Sequence, residues 1–205
     1  MAGDTPGEQI ITDVVRNSIS KDEINALPVR RYDGPIVLVE STAEAERARA
    51  DFTGERLVGF DTETRPTFRV GQKFPVALVQ VATARAVYLF QLQRMDHSAV
   101  LRGLLESRTL KAGVGIGDDI KALRERFAFE PREIVDLGAL ARRRGYERSG
   151  VRALAAMFLG FRIPKGTKTS NWAAPRLSPA QIAYAATDAW ACRELYLRFE
   201  ALGMI

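Results

Sequence analysis

The chain has a single cysteine, Cys192, and a single histidine, His97, among 205 residues. One cysteine excludes an intramolecular disulfide framework and a cysteine-based zinc site, and it suits a reducing compartment. One histidine excludes His-rich metal sites. His97 is expected at the surface or at a helix start. No run of about 18 apolar residues occurs, so no membrane span is expected. Residues 1–9 carry Asp4 and Glu8 and lack the apolar core of a secretory signal. With no repeat and no low-complexity tract, these absences predict a cytoplasmic protein without a membrane partner, built as one ordinary globular domain.

What is present is an uneven charge. Residues 1–100 hold 12 Lys/Arg against 14 Asp/Glu, whereas residues 101–175 hold 15 against 8. A basic middle in an otherwise neutral chain suits a polyanionic partner, and equally a solvated face. Residues 1–30 read as an N-terminal arm with one short helix opened by the capping box Ser20-Lys21-Asp22-Glu23. Residues 31–205 read as the functional domain. Strand-type runs are expected at Ile36–Val39, Leu57–Asp61, Val76–Ala82, Ala86–Phe90, Leu110–Val114 and Ile134–Asp136. A second capping box at Ser41 opens a helix to about Phe52, and further helices cover Asp96–Glu106, Ile116–Phe127 and the stretch after Ser178-Pro179-Ala180-Gln181. Strands that begin as an antiparallel set and then alternate with helices indicate an α/β domain, with a mixed sheet and helices on both faces.

The chemistry starts at Leu57-Val58-Gly59-Phe60-Asp61-Thr62-Glu63-Thr64. Side chains alternate along a strand, so Asp61 and Glu63 share one face and Thr62 takes the other. Two carboxylates there are either surface acids or ligands of a hard divalent cation. In Ile116–Phe127 the stripe Ile116, Ile120, Leu123, Phe127 must face the core. Asp118 then points to solvent, while Asp119 sits at the edge of the buried face and can reach a site at the sheet's rim. In the last helix Tyr184 and Asp188 are four apart and share a face, with Ala185, Ala186 and Ala189 around them. Singly these signals are weak. Together, four acids aimed at one point need two divalent ions to be tolerated, the arrangement used for in-line attack on a phosphodiester.

The segments Val58–Thr64, Ala112–Asp119 and Tyr184–Ala189 resemble the three motifs of the DEDD superfamily of 3′-5′ exonucleases, which have a ribonuclease H-like fold. Tyr184, four before Asp188, resembles the tyrosine branch; the histidine branch would carry a His where Ala183 stands. Val76–Val81, Tyr88–Phe90 and Lys168–Trp172 are similar to the Werner-syndrome exonuclease domain and ribonuclease D. The resemblance implies Asp61, Glu63, Asp119 and Asp188 as ligands of two Mg²⁺ or Mn²⁺ ions. Asp61 would bridge both ions, and Tyr184 would orient a water activated there. A 3′ end of DNA or RNA would then be shortened to 5′-mononucleotides.

Candidates for nucleic-acid contact are Thr62, Arg65, Phe68, Lys165, Lys168, Asn171 and Trp172, with Arg69 and the Arg142-Arg143-Arg144 run farther out. Phe68 or Trp172 would stack on a base, although Trp172 reads equally well as core filler. The alternatives are a non-catalytic nucleic-acid-binding module on the same fold, which would have lost its acids, and an endonucleolytic enzyme, which the tyrosine disfavours.

Overall fold

The computed structural model describes residues 17–67, 71–164 and 170–205. Among these, six strands form one mixed sheet in the order β1-β4-β3-β2-β5-β6. The strands are β1 (Ile36–Leu38), β2 (Leu57–Thr64), β3 (Val76–Ala82), β4 (Val87–Gln91), β5 (Leu110–Gly113) and β6 (Ile134–Asp136). β2 is antiparallel to β3 and parallel to β5, so it is the seam between the two halves of the sheet. The expected β3–β4 hairpin is present, its turn fastened by Thr83, whose hydroxyl donates to the Ala86 carbonyl at 3.0 Å.

Alternation along β2 sorts the core. Val58 and Phe60 face one layer, made by α2 (Thr42–Thr53), α3 (Ser98–Leu105) and α4 (Ile116–Arg124). Leu57, Gly59, Asp61 and Glu63 face the other, dominated by α7 (Pro179–Ala201). α7 carries the expected cap: Ser178 Oγ accepts from Gln181 N, and the Gln181 side chain accepts from Ser178 N. Its alanines Ala185, Ala186 and Ala189 are fully buried, which brings the helix close to the sheet. Gly59 is the point of nearest approach. A Cβ there would collide with the Ala189 carbonyl oxygen and come within 2.8 Å of Arg193 N.

Several expectations shift in detail. β2 runs three residues past Asp61, because its end pairs with β3 through Glu63 before a register shift. α4 stops at Arg124, short of Phe127, although Phe127 still packs on the same core. At α2 the Glu44 carboxylate accepts from Glu40 N at 2.9 Å, one residue before the cap. His97 does precede α3, but it is 3% exposed, with its ring edge-on to Phe90 at 5.2 Å, so it is core and not surface. Between α6 (Val151–Leu154) and Gly160, Ala155–Leu159 forms a π-helical turn. α5 (Leu137–Arg143) is capped by Asp136. The short α1 (Lys21–Ala26) has its predicted capping box and buries Ile24. No helix among the described residues is long and apolar enough to cross a membrane.

Candidate metal centre

Asp61 and Glu63 project from the α7 side of β2, past the end of its pairing with β5 but still paired with β3. Asp188 meets them from α7, because Gly59 lets that helix lie against the strand at Ala189 and Arg193, just beyond Asp188. Each of the three offers a carboxylate oxygen within 4.8 Å of the others. Asp61 and Glu63 are partly exposed into a cleft of about 820 Å³, while Asp188 is 3% exposed at its base. Such crowding costs energy in the charged state. Burial, then Asp188, Asp119 and Glu63, push the Asp61 carboxyl well above the usual range. Burial raises Asp188 to about 7, against the steadying effects of Tyr184 and Arg152.

Asp119 stands apart from that group. It arrives from α4, on the opposite face of β2, and its Oδ1 accepts a 2.5 Å hydrogen bond from Thr62 Oγ1. Helical phase correctly placed it at the rim of the buried face, half-buried beside exposed Asp118. The loop that delivers it turns at Gly115, whose φ of 78° is the left-handed conformation that glycine adopts without strain. Asp136 Oδ1 holds this turn by accepting from Gly115 N at 3.1 Å. Asp119 is raised to about 6, chiefly by burial. Asp61 is the carboxylate that senses both sides, Asp188 and Glu63 on one and Asp119 on the other.

Tyr184 lines the cleft one turn before Asp188. Burial and the nearby Asp188, Glu63 and Asp61 raise its hydroxyl far above the ordinary phenol value, so it stays protonated at neutral pH. Trp172 is fully buried, with its ring 6.1 Å from that of Tyr184. It therefore does not stack on a substrate base. The indole fills the space between Leu78 of β3 and the alanine face of α7, and so backs the tyrosine from within the core.

The remaining sequence candidates divide. Thr62 lines the cleft, but its hydroxyl is committed to Asp119. Asn171 is exposed and spends its side chain on its own turn, accepting from Ala173 N at 3.2 Å. Arg65 is exposed just past β2, its guanidinium 5.0 Å from the Phe74 ring. In the Arg142–Arg144 run, Arg142 donates to Ser149 Oγ and Arg144 to the Met204 carbonyl. Phe68, Arg69, Lys165 and Lys168 lie outside the described residues.

Sequence reasoning missed the cations that line the cleft: Lys21 of α1, Arg148, and Arg152 ahead of the π-helical turn. The basic excess of residues 101–175 was the available signal for the two arginines. It also missed Gln80, fully buried in the β3 register position facing Asp61, with neither amide atom hydrogen-bonded among the described residues.

The chain is similar to known proteins in sequence and fold. Residues 36–202 fit the family model described as 3′-5′ exonuclease. The mouse bifunctional 3′-5′ exonuclease/ATP-dependent helicase WRN is 31% identical over 202 residues, covering 92% of this chain. The chain spans only 14% of that protein's length. Among solved structures, the Nibbler EXO domain of Aedes aegypti superposes with a TM-score of 0.75 at 23% identity, over 84% of this chain and 92% of that one. The RNase D of Trypanosoma brucei, solved in complex with RNA U12, gives 0.71 at 20% identity, over 83% and 63%.

Proposed function

The chain belongs to the 3′-5′ exonuclease family, and from that premise we propose that it shortens DNA or RNA strands from the 3′ end with two divalent metal ions, releasing 5′-mononucleotides. The observation that carries this reading is the convergence of Asp61, Glu63 and Asp188 in one cleft. The donors fit such ions. All are hard carboxylate oxygens of the kind Mg²⁺ and Mn²⁺ take, and Asp188 Oδ1 is buried with no hydrogen-bond partner among the described residues. Asp61, Glu63 and Asp188 would hold one ion, and Asp61 with Asp119 the other. When bound, the ions lower the pKa of an attacking water and neutralise charge on the departing 3′ oxygen.

The chain's own side chains do the rest. Tyr184 keeps its proton, so it acts as a donor that orients the water, not as a base. Arg152 offsets the charge of Asp188 without ligating anything. Thr62 fixes the Asp119 carboxylate by its hydroxyl. Trp172 stiffens Tyr184 from behind. The RNA bound to the trypanosome RNase D supports RNA as one substrate class, and the family description admits both nucleic acids.

Digestion of matched 3′-labelled DNA and RNA single strands, with Mg²⁺, Mn²⁺ or EDTA, tests the reading. Metal-dependent release of mononucleotides is the expected result, and Asp188→Asn should lower it more than about 100-fold, beyond what partners one step removed from a metal cost. Absence of metal-dependent release from both strands would leave the binding-module alternative standing.

A further inference from the structure

One wall of the cleft over the carboxylates is built partly by residues that precede the family match. Lys21 and Asn25 of α1 line it, together with Arg148 of the segment that leads into α6. α1 precedes residue 36, where the family model begins. It is nonetheless fixed to the domain at both ends. Upstream, the Asn17 carbonyl accepts from Glu147 N at 3.2 Å, next to Arg148. Downstream, Arg162 N donates to the Pro28 carbonyl at 2.9 Å and Arg30 N to the Arg162 carbonyl at 3.1 Å, an isolated bridge in parallel sense. Arg162 Nε adds a bond to the Leu27 carbonyl at 3.1 Å. Ile24 is buried between these anchors, so the helix presents one fixed face to the cleft.

The chemistry of that face complements the floor. The floor is a cluster of carboxylates, which repels a phosphate chain. Lys21, Asn25 and Arg148 are exposed, and none makes a hydrogen bond or ion pair with another described residue. An ammonium, a carboxamide and a guanidinium are the groups that hold sugar and phosphate oxygens without reading sequence.

We propose that α1 is a wall of the substrate groove, and that Lys21 and Asn25, with Arg148 beside them, hold the sugar–phosphate backbone of the strand whose 3′ end lies on the carboxylates. This rests on the exonuclease reading of the same site. The strand-binding contribution is then shared between α1, ahead of the residues the family model matches, and Arg148 within them.

The test uses the full chain and a fluorescein-labelled single strand, followed by anisotropy in EDTA between 50 and 200 mM salt. Lys21→Ala and Arg148→Ala should each weaken binding about 3- to 10-fold and flatten the salt slope by roughly 0.7, the value for one phosphate contact on a single strand. Asn25→Ala should weaken binding with the slope unchanged, and Lys21→Arg should restore both. With Mg²⁺, KM should rise in the same variants while kcat stays within about twofold. Arg49→Ala, on α2 in the opposite layer, is the control. If wild type digests strands while Lys21→Ala and Arg148→Ala keep its KM and salt slope, the assignment is wrong. A fall in kcat at constant KM also overturns it. Wild type that binds but never cleaves defeats the exonuclease reading instead, and the EDTA titration still decides the role of α1.

Discussion

Asp188 gathers the site's electrostatic cost into one carboxyl. It is buried and titrates near 7, while Asp119 titrates near 6, both far above the roughly 3.9 of an unfolded aspartate. In metal-free protein the native state therefore holds these protons after the unfolded chain has released them. That contribution to stability is complete below about pH 4 and is lost as pH rises through 6 and 7. His97, whose pKa burial lowers, acts in the opposite direction, so the comparison with Asp188→Asn isolates the carboxyl. In EDTA the urea midpoint of wild type should fall relative to that of Asp188→Asn between pH 5 and 8, and Mg²⁺ or Mn²⁺ should close the gap at pH 8. At Tyr184, phenylalanine should reduce kcat about 10- to 100-fold with little change in KM. The pH–rate profile of wild type should show no limb near 10, because the phenol does not ionise there. The shared face of Asp61 and Glu63, and the rim position of Asp119, were legible because alternation and helical phase are local properties. The hold of Thr62 on Asp119, and the burial of Trp172 and His97, depend on which element covers a side chain, and one-dimensional periodicity carries no trace of that.

Among the elements, β2 and α7 have to touch for the centre to exist. Gly59 permits the contact, so Gly59→Ala forces a methyl against the Ala189 carbonyl and Arg193 N of α7. It should cost more than about 3 kcal/mol, the upper part of the overpacking range, measured by urea denaturation. Residual activity should fall further than stability, since the displaced helix carries both Tyr184 and Asp188. Strands and helices were readable almost throughout, since capping boxes and apolar periods are written in adjacent residues. Their ends were less so. The extension of β2 comes from pairing with β3, and the stop of α4 at Arg124 leaves Phe127 packed on the core from outside the helix.

At the scale of the molecule, residues 17–30 of the segment read as an arm are bound into the domain. Their helix buries Ile24, and their tail bridges to Arg162. Deleting residues 1–27 should lower stability by about 1.5–3 kcal/mol, the burial value of one large aliphatic side chain, without abolishing cooperative unfolding in urea. The position of the seam strand has one more consequence, in the order of synthesis. More than a hundred residues separate Asp61 from Asp188. At roughly 5–20 residues per second, a nascent chain spends on the order of ten seconds with β2 made and its α7 partner still missing. During that interval the α7-facing side of β2, from Leu57 to Glu63, lacks the helix that covers it. The carboxylate cluster is complete only when the late helix brings Asp188 to Asp61 and Glu63.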